Sequence, residues 1–387
     1  MKQQLVPAEL LEKADKILFV THLAIGDFLY WQTYFKAFHD QYPHIKIHVW
    51  VDELRRTWKW WKWDGLKRYS LFDWLSECPF IEKVYNETYS LPAVLRSIKT
   101  ARGEKYPVVV SLATLRAHRY AVLARLAGAK AFVAGLVTRQ KWSWFDVIPQ
   151  ALYHVLNARC SQKPQDMEQG YHITDLYAHW FKEFFGININ GEERRPFMNI
   201  PRDWRTNAKL ALLKWGVTSA ANGIAHKPRT VFVNIFAKDK KRCWTLDAAL
   251  QLIAMLRSQD HFSQAYFIFN VMPGELHAMR QALADNGVGN VILFSANEHF
   301  FQLPAIIELC DLVISVETAV MHIAAALKVP VVALMRSKNP EWVPWDKECS
   351  RVLMAAKRTH WVRDIPPTQV MYCVNEFLHE AERREQV

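Results

Sequence analysis

The feature that most restricts this 387-residue chain is one alternation, short apolar β-rich runs followed by helical patterns, that occurs twice. In the first half KILFV (16–20) leads to a helix expected near 28–41, and IKIHVWV (45–51), PVVVSL (107–112) and AFVAGL (131–136) follow, with the helical HRYAVLARLAG (118–128) among them. Residues 137–170 read as irregular, and YHITDLYAHWFKEFFG (171–186) reads as a helix ending at Gly186. The polar INGEERRPFMNIPRD (189–203) breaks the rhythm as a connector. After a helix at 203–216 the alternation restarts with RTVFVNIF (229–236), AYFIFNV (265–271), NVILF (290–294), DLVISV (311–316) and PVVALM (330–335). Runs of this kind predict parallel sheets with crossover helices. The expected fold class is therefore α/β, with two doubly wound Rossmann-like domains facing a cleft. Their expected bounds are 1–200 and 201–365, and an amphipathic tail helix (366–387) is expected to pack back on the first domain. Ligands of such sheets bind beyond the carboxyl ends of the strands.

Composition narrows the partners. A net charge of +11 points to an anionic one. The segment RRTWKWWKWDGLKRY (55–69) interleaves Arg and Lys with four Trp, which suits headgroups or sugars and equally a surface helix with snorkelling lysines. No nucleic-acid signature accompanies the charge. Six scattered cysteines show no metal spacing and read as reduced. No apolar run is long enough to span a bilayer. The N-terminal MKQQLVPAELLEKADK lacks the apolar core of a secretory signal, so the expected location is the cytoplasm, with peripheral contact at the inner face of a membrane.

Two stretches carry chemistry. In THLAIGDFLYWQTYF (21–35) the pair Gly26-Asp27 lies between the first strand and its helix. Asp27 there is either a helix-capping carboxylate or a general base. No GxGxxG is present, which argues against a dinucleotide enzyme. In DLVISVETAVMHIAAALKVPVVAL (311–334) a strand runs directly into a helix, with Thr318 and His322 four residues apart on one face. Free N–H groups at that helix start suit a diphosphate, although a helix histidine also packs or caps.

Together these stretches resemble glycosyltransferase family 9, the ADP-heptose:lipopolysaccharide heptosyltransferases. Gly26-Asp27 stands where that family has Gly-Asp. Glu317-Thr318-Ala319-Val320-Met321-His322 stands in place of its Asp-Thr-Gly-x-x-His, and AAALKVPVVAL (324–334) follows closely. KDKKRCW (238–244) puts Arg242, beside Lys241, where the family has a Lys two residues before a Trp, and VMPGE ends in Glu275. The likeness is strongest over 229–346 and slight across 52–170. Glu317 and Ala319 depart from the family pattern, and MRSKNPEWVPW replaces the usual Phe-Gly-Pro.

The resemblance implies a GT-B fold and an inverting transfer of heptose from ADP-heptose to the acidic inner core of lipopolysaccharide, without cofactor or metal. Asp27 would be the base. Thr318, His322, Arg242, Lys241 and Ala319 would hold the donor diphosphate, and Glu275 and Glu317 the nucleoside. Arg55, Arg56, Lys59, Lys62, Arg116, Arg119 and Lys141 are candidate acceptor contacts as a basic patch, with a solvated face as the alternative for each. Alternatives for the whole chain are another nucleotide sugar or glycan acceptor on the same fold, and a non-catalytic sugar-nucleotide or glycolipid binder. A fourth reading, from charge and Trp alone, is a peripheral membrane or nucleic-acid module.

Overall fold

The computed structural model describes residues 4–52, 56–138, 147–163, 167, 170–217, 228–285 and 289–385. They form two compact units, Met1–Arg195 and Pro196–Val387.

The first unit holds β1 (Lys16–Thr21), β2 (Lys46–Val51), β3 (Ile81–Tyr85), β4 (Val108–Ser111), β5 (Phe132–Val137) and β6 (Ala158–Ser161). The second holds β7 (Thr230–Asn234), β8 (Tyr266–Asn270), β9 (Val291–Phe294), β10 (Leu312–Val316), β11 (Val331–Met335) and β12 (Ser350–Met354). The sheet orders are β3-β2-β1-β4-β5-β6 and β12-β11-β10-β7-β8-β9. Both are the doubly wound order, with the first strand of each unit central and a reversal beside it. Every strand pair is parallel. The central strands are continuous apolar runs because helices cover both their faces; β4, β10 and β11 are buried along their whole length.

Three strands were not expected from the sequence: β3, β6 and β12. All lie at sheet edges, where one side carries no neighbour. Edge strands keep charged and half-exposed residues, as IEKVY and SRVLM do, and so lose the apolar run that betrays a central strand.

Two further expectations are corrected. The first long helix spans Ile25–Gln41, so Gly26 lies inside its opening turn rather than in the loop before it. The tail helix, Pro367–Glu385, packs in the second unit instead of returning to the first. Its Val370, Cys373, Val374 and Leu378 are buried with Val233, Leu252, Ile253 and Leu334 in that unit's core. An amphipathic helix goes where its apolar stripe finds cover, and here β11, β12 and the Leu246–Arg257 helix supply it.

The first unit is held by rings. Trp31 stacks on Tyr177 at 4.2 Å and lies against Phe35, Trp180 and Phe181. Phe19 of β1 meets Phe35 at 5.0 Å and Phe38 at 5.5 Å, and Phe38 meets Phe185 at 4.8 Å. The Tyr34 hydroxyl donates to the Thr174 carbonyl at 2.6 Å. The Ile25–Gln41 and Ile173–Phe185 helices are thereby locked together over β1.

A buried polar chain sets a pH dependence. His48 Nδ1 lies 2.6 Å from the Tyr106 hydroxyl, which lies 2.8 Å from that of Tyr85. Burial, opposed by Glu104 and aided by Lys83 and Lys16, pushes the His48 pKa down from 6.5 to about 4. The folded chain therefore keeps His48 neutral where the unfolded chain takes a proton. Stability is full above pH 6.5 and falls as the pH drops from 6.5 towards 4. Urea unfolding at pH 7 and pH 5 is expected to show a lower midpoint at pH 5, and His48→Asn is expected to reduce that difference.

Candidate active site

In the second unit the polar residues gather at the carboxyl ends of β7, β8, β10 and β11. β7 and β8 each close on an asparagine, Asn234 and Asn270. Asn270 Nδ2 donates to Asn234 Oδ1 at 2.9 Å. Asn234 Nδ2 in turn donates to Ser315 Oγ at 3.1 Å and Thr318 Oγ1 at 3.0 Å. Asn234 and Ser315 face each other in the β7–β10 register and both are buried. Ser315 Oγ donates to the Val316 carbonyl at 2.9 Å.

This network fixes Thr318, which caps the Ala319–Ala326 helix by accepting from the Val320 N–H. The helix starts straight off β10, so its first N–H groups and positive dipole end lie beside the strand ends. Ala319, the first helical residue, is half-buried. His322 is buried one turn later, its ring 6.3 Å from that of Trp342.

Around this helix start sits a charge cluster. Glu317 is buried, with Arg242 Nε at 3.6 Å from one carboxylate oxygen and Arg336 Nε at 3.6 Å from the other. Arg336 Nη1 lies 3.5 Å from Asp239. Those separations are charge contacts too long for hydrogen bonds. The Nε–H groups of Arg242 and Arg336 and the Ser337 hydroxyl are buried with no hydrogen-bond partner among the described residues. Asp239 caps the Lys240–Arg242 turn by accepting from the Lys241 N–H at 3.0 Å. That bond first, then Arg336, Arg242 and Lys241, hold its carboxyl below the ordinary carboxylate range. Lys241 is exposed, its ammonium 5.9 Å over the Trp361 ring. Glu275 is exposed in the Pro273–Glu275 turn after β8. The expected donor residues thus divide: Thr318, Ala319, Arg242 and Glu317 meet at one helix start, Glu275 and Lys241 stand outward, and His322 is packed inside.

Sequence reasoning missed Asn234, Asn270, Ser315, Asp239 and Arg336. A signal was present for the asparagines: each is a polar residue ending an otherwise apolar strand, TVFVN and YFIFN. Arg336 lies where the family resemblance led elsewhere, in the segment that replaces Phe-Gly-Pro.

In the first unit Asp27 is half-buried in the opening turn of its helix, and its Oδ2 accepts from the Ala24 N–H at 2.9 Å. The capping reading is therefore realised. Its charge adds to the upward push on the Tyr177 hydroxyl, which burial dominates.

The basic patch is less uniform than expected. Arg56 Nη2 is 2.5 Å from the buried Asp52 carboxylate, so this arginine is committed to an ion pair. Lys59, Lys62, Arg116 and Arg119 are exposed. Arg116 has φ +54°, in the left-handed region, where it leads into the Ala117–Ala127 helix. Arg55 and Lys141 lie outside the described residues.

With the two doubly wound units and this cluster of donors in place, comparison with known proteins narrows the class. The chain aligns with solved structures of the GT-B fold. A glycosyl transferase family 9 protein from Veillonella parvula matches with TM-score 0.73 and 15% identity, covering 98% of this chain and 99% of that one. E. coli ADP-heptose lps heptosyltransferase II matches with TM-score 0.64 and 16% identity, covering 95% and 99%. E. coli heptosyltransferase WaaC, solved with ADP, matches with TM-score 0.62 and 14% identity, covering 93% and 99%. No curated protein sequence matches the chain. Residues 216–365 match the model of glycosyltransferase family 9 (heptosyltransferase).

Proposed function

We propose that the chain is an inverting heptosyltransferase that moves heptose from ADP-heptose to an acidic glycolipid, the inner core of lipopolysaccharide. The observation that carries the reading is the pair of buried guanidinium Nε–H groups left without hydrogen-bond partners beside a helix start. An unsatisfied buried donor costs about 1–3 kcal/mol. A diphosphate offers anionic oxygens that would satisfy such donors, and the helix dipole would add to the attraction.

In this reading Arg242, Arg336, Thr318 and the N–H groups from Ala319 onward hold the donor's diphosphate and stabilise it as it leaves. Glu317 spaces the two arginines and keeps them from repelling each other when no anion is bound. Glu275 accepts from the ribose hydroxyls, Lys241 adds charge at the rim, and His322 supports the helix from within. Asp27 takes the proton of the acceptor hydroxyl as its oxygen attacks the anomeric carbon, the bond to the diphosphate oxygen breaks, and ADP departs with the electron pair. The configuration at that carbon inverts because a single displacement occurs. The chemistry needs no metal if the arginines carry the neutralising charge.

Glu317, Ala319 and Arg336 depart together from the family pattern at one spot. That observation favours, as a second reading, the same transfer with another nucleotide sugar. The test is release of the donor's nucleoside diphosphate by the native chain, with purified core glycolipid, from ADP-heptose and from a panel of other nucleotide sugars. Turnover with ADP-heptose well above the rest supports the first reading, and turnover with another donor supports the second. ADP binding without turnover on any pair overturns both and leaves a binding protein.

A further inference from the structure

We propose that residues 57–63 form a docking surface for an anionic lipid bilayer, with Trp58, Trp60 and Trp61 as its interfacial anchors. The inference deepens the reading above, which puts the acceptor on a glycolipid, but it stands on its own geometry.

The segment follows β2 and contains a short Trp60–Lys62 turn. One of its four Trp is structural: Trp63 Nε1 donates to the Thr57 carbonyl at 2.9 Å and its ring lies 5.6 Å from that of Tyr89. The Thr57 N–H donates to the Tyr89 carbonyl at 3.0 Å, which pins the other end. Between these pins the remaining three turn outward. Trp58, Trp60 and Trp61 are 74%, 70% and 63% exposed, the largest such group among the described residues. A soluble surface rarely leaves three indoles in water within four residues, and contiguous exposed apolar area of this kind marks an interaction site.

The surrounding charge decides the partner. From 56 to 68 the chain carries five cations, Arg56, Lys59, Lys62, Lys67 and Arg68, against Asp64 alone. Arg56 is engaged by Asp52, and Lys67 lies 3.4 Å from Asp64, whereas Lys59 and Lys62 stand exposed between the indoles. Lys59 Nζ is 6.0 Å from the Trp61 ring centre, and the Trp60 and Trp61 rings meet edge to face at 6.0 Å. Indoles beside exposed lysines match the chemistry of the bilayer interface, where rings lie at headgroup depth and ammonium groups meet anionic lipid. A protein partner of opposite charge would satisfy the lysines without requiring three indoles at one point. No described helix is long and apolar enough to cross a membrane.

The experiment is cosedimentation of the full chain with vesicles of phosphatidylcholine alone and of phosphatidylcholine mixed with anionic phosphatidylglycerol. Neither vesicle contains donor or acceptor, so the result is independent of transferase activity. The native chain is expected to bind the anionic vesicles at least tenfold more tightly than the neutral ones. Trp58→Ser/Trp60→Ser/Trp61→Ser is expected to lose at least tenfold of that binding, and Lys59→Gln/Lys62→Gln to lose the preference for anionic lipid. All five side chains are exposed, so unchanged circular dichroism and thermal midpoint are expected and exclude misfolding. Native failure to bind, or a triple Trp variant that binds as the native chain does, overturns the proposal. So does a triple variant with normal vesicle binding but lost transfer to delipidated acceptor, which would make the indoles a sugar platform.

Discussion

Asp27→Asn is expected to lower kcat by about 10²–10⁴-fold, the range that general-base catalysis supplies, with ADP affinity unchanged. Asparagine keeps an oxygen at the position that accepts the Ala24 N–H, so the cap survives while the base is lost. Its thermal midpoint should stay close to that of the native chain. Asp27→Ala removes both roles and is expected to cost in addition about 1 kcal/mol, through the lost cap and its charge at the helix N-terminus. The pair of variants separates the cap from the proposed base function of one carboxylate. ADP release and calorimetry on both read the outcome. An Asp27→Asn chain with native turnover would leave Asp27 as a cap only and remove the base from the proposed mechanism.

Arg336→Met should weaken ADP binding at least tenfold, or about 1.4 kcal/mol. It should also destabilise the chain by about 3 kcal/mol, because it leaves the buried Glu317 carboxylate with the Arg242 charge and the residue-336 backbone N–H only. The double variant Arg336→Met/Glu317→Leu removes both charges. Exchanging a buried ionic group for apolar volume is often neutral or stabilising, so most of the lost stability is expected to return. ADP affinity is not expected to return, because the donor group itself is gone. Isothermal titration with ADP and urea unfolding distinguish the two effects. If ADP affinity recovers with stability, Arg336 acts only as a structural partner of Glu317.

The sheets were legible in the sequence where strands are buried on both faces. β1, β2, β4, β5, β7, β8, β10 and β11 appear as plain apolar runs because helices cover them on either side. β9, although an edge strand, was legible because VILF is wholly apolar; β3, β6 and β12 were not, since polar and charged residues interrupt their apolar pattern. The tail helix was recognised by its amphipathic pattern, but such a pattern reports only that an apolar stripe needs cover, and several surfaces could provide it. At the site, motif spacing located Thr318, Arg242 and Glu317. It could not reveal that Asn234, more than eighty residues before Thr318, is the group that holds it in place, since that contact exists only once β7 and β10 lie side by side. The two glutamates show the same limit. Both read as nucleoside contacts, yet Glu317 is buried between two arginines and Glu275 is exposed at a turn.

The interlocked rings of the first unit have a mechanical consequence. Trp31, Tyr34, Phe35 and Phe38 clamp the helix that starts with Asp27 to the Ile173–Phe185 helix and to Phe19 in the sheet. The carboxylate is thus mounted on a braced beam and not on a hinge. Displacing it by even a fraction of a ring width would mean prying apart stacked aromatics from three elements at once. In the proposed mechanism the proton acceptor is therefore the stationary part, and alignment for reaction falls to whatever is brought towards it.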